Sequence, residues 1–243
     1  MNYRLLIQYD GTRYDGWQRQ KTTGNTIQGK LEQVLGRMAG APVEVKGASR
    51  TDAGVHAKGQ VANVHLPEGF SPEEIRDYLN QYLPEDIGVL EVKEVSERFH
   101  SRLNAGVKTY QYRIATDRTK HVFERNYIYP LNRPLDVKRM RRAAEYLTGE
   151  HDFQSFCAKK MKKSTVRRLD EIHFEQARGE LRITFRGSGF LYNMVRILVG
   201  TLIEVGLGER EPDAMPQLLA KRERAYAGPT APAKGLTLMG IQY

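Results

Sequence analysis

The sequence predicts an α+β protein made of two β-α-β-β-α-β halves that share a mostly antiparallel central sheet. Three observations carry this reading. Two-residue alternation and helical periodicity follow one another in the same order twice along the chain. Turn-rich stretches such as Asp10–Gly16 and Arg178-Gly179-Glu180 separate the periodic segments. The length of 243 residues gives each half enough chain for a core of its own.

The elements follow in order. Tyr3, Leu5, Ile7 and Tyr9 alternate with polar residues and predict a strand, and the turn-rich stretch from Asp10 to Gly16 predicts a loop. Ile27, Leu31, Val34, Leu35 and Met38 recur at helical spacing, with Thr26 as N-cap and Gly40 as stop. Val43–Ala48 and Val61–Leu66 read as strands flanking a loop. Pro72–Tyr82 reads as a helix capped by Ser71 with Pro at its first position, and Ile87–Val95 as a strand. The second half repeats the order with long insertions: a strand over Val107–Ala115, a helix over Asp136–Leu147 closed by Gly149, and a hairpin of Val166–Phe174 and Leu181–Gly187 around Arg178-Gly179-Glu180. A long apolar helix over Leu191–Val205 and a short strand over Leu236–Ile241 complete it. Residue identity does not repeat between the halves; the order of elements does. Both are therefore read as ferredoxin-like, with domains at 1–104 and 105–243.

Composition narrows the function classes. No apolar run approaches the ~20 residues of a membrane span, and no basic patch followed by an apolar segment marks the N-terminus as a secretory signal. The single cysteine, Cys157, excludes an internal disulfide and a cysteine-cluster zinc site, so a reducing cytoplasmic setting is expected. The six histidines show no paired-ligand helical spacing, and His151-Asp152 between Gly149 and Phe153 suits a turn; no metal site is expected. The net charge of +9 is unevenly placed: residues 1–104 carry −1 and residues 105–243 carry +10. A basic half beside a neutral one points to a polyanionic partner.

The segment from Gly47 to Ala57 packs Arg50, Asp52 and His56 among small residues that admit close approach of another backbone or a ligand. Taken alone, Asp52 could equally form an Asx-turn with its own backbone, and Arg50 could be a surface charge. The run Arg50-Thr51-Asp52-Ala53-Gly54-Val55-His56-Ala57, however, resembles the signature of the tRNA pseudouridine synthase A family. Further blocks agree in order: Tyr9-Asp10-Gly11-Thr12 with Gly16-Trp17-Gln18, Phe99-His100-Ser101-Arg102, Lys108-Thr109-Tyr110-Gln111-Tyr112-Arg113, and Gly149-Glu150-His151-Asp152-Phe153. Gly189-Phe190-Leu191-Tyr192-Asn193-Met194-Val195-Arg196 and Ala231-Pro232 before Gly235-Leu236 complete the set. Lys58, where the family often carries a small or apolar residue, departs from the pattern.

The resemblance implies a tRNA pseudouridine synthase acting on uridines at positions 38, 39 and 40 of the anticodon stem-loop, in a catalytic cleft between the two halves. It makes Asp52 the nucleophile, and the chemistry needs neither a redox cofactor nor a metal. Whether the carboxylate attacks C1′ or C6, or acts first as a base, is left open, as are the tRNAs modified. A carboxylate in a water-excluding pocket calls for a cation, and Arg196 is the candidate because it lies among apolar residues of a helix expected to be buried. The resemblance sets Tyr110 in the pocket, stacked on the uracil and assisting deprotonation of C5; on burial statistics it would be core packing. Arg50 is expected to bind substrate by filling the space that a flipped uridine vacates, or else to contact a phosphate. Basic runs at 138–142, 159–163, 167–168 and 221–224 would add backbone affinity. The resemblance also implies a homodimer. A non-catalytic RNA-binding module on the same scaffold is the alternative; a metal-dependent nuclease lacks clustered carboxylates.

Overall fold

The computed structural model describes residues 1–243. The chain is α+β with mostly antiparallel pairing and divides into two units, Met1–Gly106 with Thr237–Tyr243, and Val107–Leu236. No helix is long and apolar enough to cross a membrane.

In the first unit the strands β1 (Asn2–Tyr9), β2 (Val45–Gly47), β3 (His56–His65) and β4 (Ile87–Val95) are joined by the helices α1 (Ile27–Ala39) and α2 (Pro72–Tyr82). β1 lies between β4 and β3, antiparallel to both. Thr26 caps α1 by accepting the Gly29 amide, and Ser71 and Glu74 close a reciprocal capping box on α2. Ile27, Leu31, Val34 and Leu35 of α1 and Ile75 and Leu79 of α2 are buried, as are Tyr3, Leu5 and Ile7 of β1. Each such side chain contributes roughly 1.5–3 kcal/mol on burial.

The second edge of β3 is divided. β2 covers Ala62–Val64 in antiparallel register, while β10 (Leu236–Ile241) runs parallel beside His56 and Ala57. The last strand of the chain thus returns to the first unit instead of completing the second half in sequence order. β3 is also longer than its sequence suggests. It begins at His56, five residues before the expected Val61, because His56 and Gln60 are buried polar residues with internal partners rather than signs of a loop.

In the second unit β5 (Lys108–Ala115) pairs antiparallel with β9 (Glu180–Gly187), β9 with β8 (Val166–Ala177), and β8 with β7 (Gly149–Asp152). The short β6 (Tyr129–Pro130) lies parallel to the end of β5. The turn expected at His151-Asp152 is instead the strand β7: Gly149 turns the chain at φ +107° and the next residues pair with Val166–Arg168. At the hairpin end, Glu180 clamps Arg113 and Arg182 with contacts of 2.6 to 2.9 Å. Burial pushes its carboxyl up, but the two guanidinium groups prevail and hold it at about 2.

α3 (Val137–Leu147), α4 (Met194–Gly206) and α5 (Met215–Lys221) complete this unit. α4 is buried nearly all round, and only Arg196 and Glu204 along it reach partial exposure. Its sharpest constraint is Gly200, where a Cβ would sit 1.8 Å from the carbonyl oxygen of Pro229. We expect Gly200→Ala to lower unfolding stability by about 1–3 kcal/mol, the typical cost of overpacking a core. A urea melt checks this; an unchanged midpoint would mean that the 228–232 segment simply shifts away from α4.

Candidate active site

The loop carrying Asp52 emerges where β2 leaves β3. Beyond Gly47 the edge of β3 is completed by backbone and side chains instead of a strand. The Ala48 amide donates to Val61 O at 2.8 Å, the Gln60 side chain accepts from the Ser49 amide at 3.2 Å, and it donates to Ser49 O at 2.7 Å. The chain then turns at Asp52–Val55, closed by the Val55 amide on Asp52 O at 3.1 Å, with Gly54 in its third position at φ +77°. Asp52 is half-buried, between buried Thr51 and the exposed Ala53.

Two stretches far away in sequence hold this turn from beneath. Gly11 approaches so closely that a Cβ would lie 2.0 Å from Val55 O, and its amide donates to His56 Nδ1 at 3.0 Å. Gly16, at φ +93°, leaves 2.7 Å between a notional Cβ and Thr51 O, while the neighbouring Trp17 amide donates to that same oxygen at 3.0 Å. The Thr51 hydroxyl is 2.7 Å from the Tyr9 hydroxyl, and the Gly54 amide donates to Tyr14 O at 3.3 Å. Tyr14 in turn donates to Asp86, which also pairs with Arg13 at 2.6 Å; burial first, and this carboxylate second, raise the Tyr14 phenol above its ordinary range. The Tyr9–Thr12 and Gly16–Gln18 blocks are therefore the seat of the Asp52 turn. The turn-rich composition of 10–16 signals a loop, but nothing local in the sequence signals what the loop supports.

Arg50 is exposed two residues before Asp52. The Arg102 guanidinium, lowered first by burial and then by the charge of Arg50, belongs to the same neighbourhood. Two like charges held near each other favour an anionic visitor.

In the second unit Tyr110 and Tyr112 have different surroundings. Tyr112 is fully buried and donates its hydroxyl to Pro232 O at 2.7 Å, and burial raises its phenol well above the ordinary range. Tyr110 is 5% exposed, opposite Phe185 in the β5–β9 register, with its ring edge-to-face against Phe190 at 5.2 Å. Phe190 is a contact that residue spacing alone does not reveal. Arg196 is partly exposed on the first turn of α4. Its Nε donates to Ala231 O at 2.7 Å while the Ala231 amide donates to Arg196 O at 3.0 Å, and Asn193 Oδ1 is 3.4 Å from Nη1. This reciprocal pair gives Ala231-Pro232 its role: it aims the guanidinium.

The basic runs divide. On α3, Arg139 pairs with Glu211, Arg142 with Asp213, and Arg141 donates to Phe174 O while lying over that ring. Arg222 pairs with Asp152. By contrast Lys159–Lys163 is exposed throughout.

Residues 5–104 and 143–243 match the profile of a family described as tRNA pseudouridine synthase. A protein of Bacillus sp. (strain KSM-64) named tRNA pseudouridine synthase A is 51% identical over all 243 residues and 99% of its own length. Proteins of the same name in Brevibacillus brevis, and numbered A 1 in Clostridium tetani, are 44% and 46% identical, over 98% and 99% of their lengths. Among solved structures, a Cbf5-Nop10-Gar1 complex aligns with 83% of this chain and 45% of its own at 11% identity and TM-score 0.40, too slight a likeness to carry an argument. The chain belongs to the tRNA pseudouridine synthase family. Tyr110 lies in the stretch between the two matched segments.

Gly11→Ala tests the seat of the turn. The added methyl must push Val55 O away and move the Asp52 turn, and a displacement of ~1 Å costs up to ~10²-fold in rate. We expect turnover on a tRNA transcript to fall by about that factor while tRNA affinity stays within a few-fold. Wild-type turnover would show that the turn holds its place without this contact.

Proposed function

We propose that the protein isomerises uridine to pseudouridine in the anticodon stem-loop of tRNA, at positions 38, 39 and 40, with Asp52 as the nucleophile. The observation that carries the reading is the Asp52 turn itself, seated on backbone contacts from two family-like blocks and flanked by a cationic Arg50. The reaction breaks the N1–C1′ bond, rotates the uracil while it is held, and joins C5 to C1′. The C5 proton leaves and N1 regains one, so the product is an isomer and no electrons are exchanged with a partner.

The remaining roles belong to the same proposal. Tyr110 stacks on the uracil and assists removal of the C5 proton, a role in which a neutral phenol needs help from a charged neighbour. Arg196 is the cation that a pocket carboxylate requires, and its orientation by Ala231 suits a group that must not fold back into solvent. Arg50 takes the place of the uridine that leaves the stem, a step costing a few kcal/mol. A homodimer that carries one tRNA across both subunits, working in the cytoplasm, completes the reading on family resemblance.

Asp52→Asn keeps shape and removes the negative charge. It should abolish pseudouridine formation on an unmodified tRNA transcript, mapped at nucleotide resolution, with tRNA binding within a few-fold of wild type. Detectable turnover by the purified variant would remove Asp52 from the chemistry.

Tyr110→Phe separates chemistry from packing. Ring burial and the Phe190 contact survive, so thermal stability and tRNA affinity should change little. Single-turnover rates should fall by about 10²–10⁴-fold, as for loss of a general acid–base group. A near-normal rate with a lowered melting temperature would make Tyr110 a packing residue that has lost a hydrogen-bond partner.

A further inference from the structure

Between β5 and β6 the chain makes a long excursion over residues 116–128, which lies outside both segments matched by the family profile. It frames a cavity of about 340 Å³. Arg118, Lys120, Arg125 and Lys234 line it, with His121 beside them, over an apolar floor that includes Val122 and Ile128; no acidic residue takes part. The two acids of the excursion sit beside His121, Asp117 at 3.5 Å and Glu124 at 4.0 Å, and Glu124 also pairs with Arg113 at 2.9 Å. The rim is equally distinctive. Phe123, next to the cavity-lining Val122, is 95% exposed. Single exposed apolar residues are common on protein surfaces. A phenyl ring standing in water on a loop that also carries Arg118, Lys120 and Arg125 is not explained by folding.

The loop holds this arrangement by its own turns. The Val122 amide donates to Lys120 O at 3.0 Å, Arg125 Nη1 donates to Val122 O at 2.9 Å, and the Tyr127 amide donates to Glu124 O at 2.7 Å. An aromatic platform beside a cationic groove is the arrangement that takes unpaired nucleic acid: the base stacks on the ring and the flanking phosphates meet the cations. We propose that the 116–128 loop is a second RNA-contact site that holds an unpaired nucleotide of the substrate, its base on Phe123 and its phosphates on Arg118, Lys120 and Lys234. The inference rests on the reading of the substrate as tRNA. A second copy of the chain fits this surface less well, because a twofold contact through the loop would bring the same cations together.

The test uses the full-length protein with an unmodified tRNA transcript. Phe123→Ala, an exposed change with no packing to lose, should weaken binding on the order of tenfold, as expected for one base–aromatic stack. Arg118→Ala with Lys120→Ala should weaken binding and reduce the slope of log Kd against log salt by about one to two. Single-turnover rates at saturating enzyme should match wild type in both variants. Unchanged affinity and slope would overturn the proposal. So would lost affinity accompanied by dissociation in sedimentation velocity, which would make the loop an interface between copies. Binding is read without turnover, so a wild-type protein that binds tRNA but forms no pseudouridine would sink the proposed function and leave this site standing.

Discussion

Everything around Asp52 depends on how one edge of β3 is shared. A ten-residue strand flanked along its full second edge by one neighbour would leave no room for a loop to enter the sheet. Here β2 covers only Ala62–Val64, and β10 only His56–Ala57. The gap must satisfy its backbone groups in another way, since an unpaired buried amide or carbonyl costs about 1–3 kcal/mol. The Gln60 side chain does this for Ser49, bonding both its N–H and its C=O. A buried glutamine, which on composition alone looks misplaced in a strand, is what lets the chain leave the sheet and return within eight residues.

The same economy governs the cationic residues of the second unit. Arg196 could reach solvent from a helix edge, as long side chains often do. The exchange of hydrogen bonds with Ala231 prevents this, and Gly200 brings the 228–232 segment against α4 closely enough for the exchange to occur. Thr201 adds to the clasp by accepting from the Gly228 amide at 2.9 Å. A guanidinium held through Nε, with Nη1 3.4 Å from Asn193 Oδ1, is a positioned charge.

Much of the fold was legible because alternation and helical spacing are strong where one face is buried. Pro72–Tyr82, capped by Ser71, and the strands Ile87–Val95 and Leu236–Ile241 have the bounds that the sequence predicts. The failures have local causes. β3 starts early because its buried polar residues mimic a loop. β6 is two residues long, and α5 is a short helix whose apolar residues are too few for periodicity. β7 was missed because Gly149 and the charged residues after it carry turn signals while the backbone pairs with β8. Within the site, the motif residues were visible by resemblance, but their mechanical roles were not. That Gly11 and Gly16 press on Val55 and Thr51 is a contact between residues about 35 to 45 positions apart, and no local pattern encodes it.

The +10 of residues 105–243 overstates what an RNA would meet. On α3 the arginines are committed to Glu211, Asp213 and a carbonyl, Arg113 and Arg182 share Glu180, and Arg210 pairs with Glu204. Exposed pairs such as Arg142–Asp213 are worth at most about 1 kcal/mol each to stability, yet each pair also neutralises a charge that would otherwise attract phosphate. Among the cations left over, Lys159–Lys163 is exposed throughout, and Arg118, Lys120 and Arg125 of the 116–128 loop are exposed as well. Counterion release scales with the number of phosphates met. Arginines already paired with carboxylates offer less to a phosphate than exposed loop cations do.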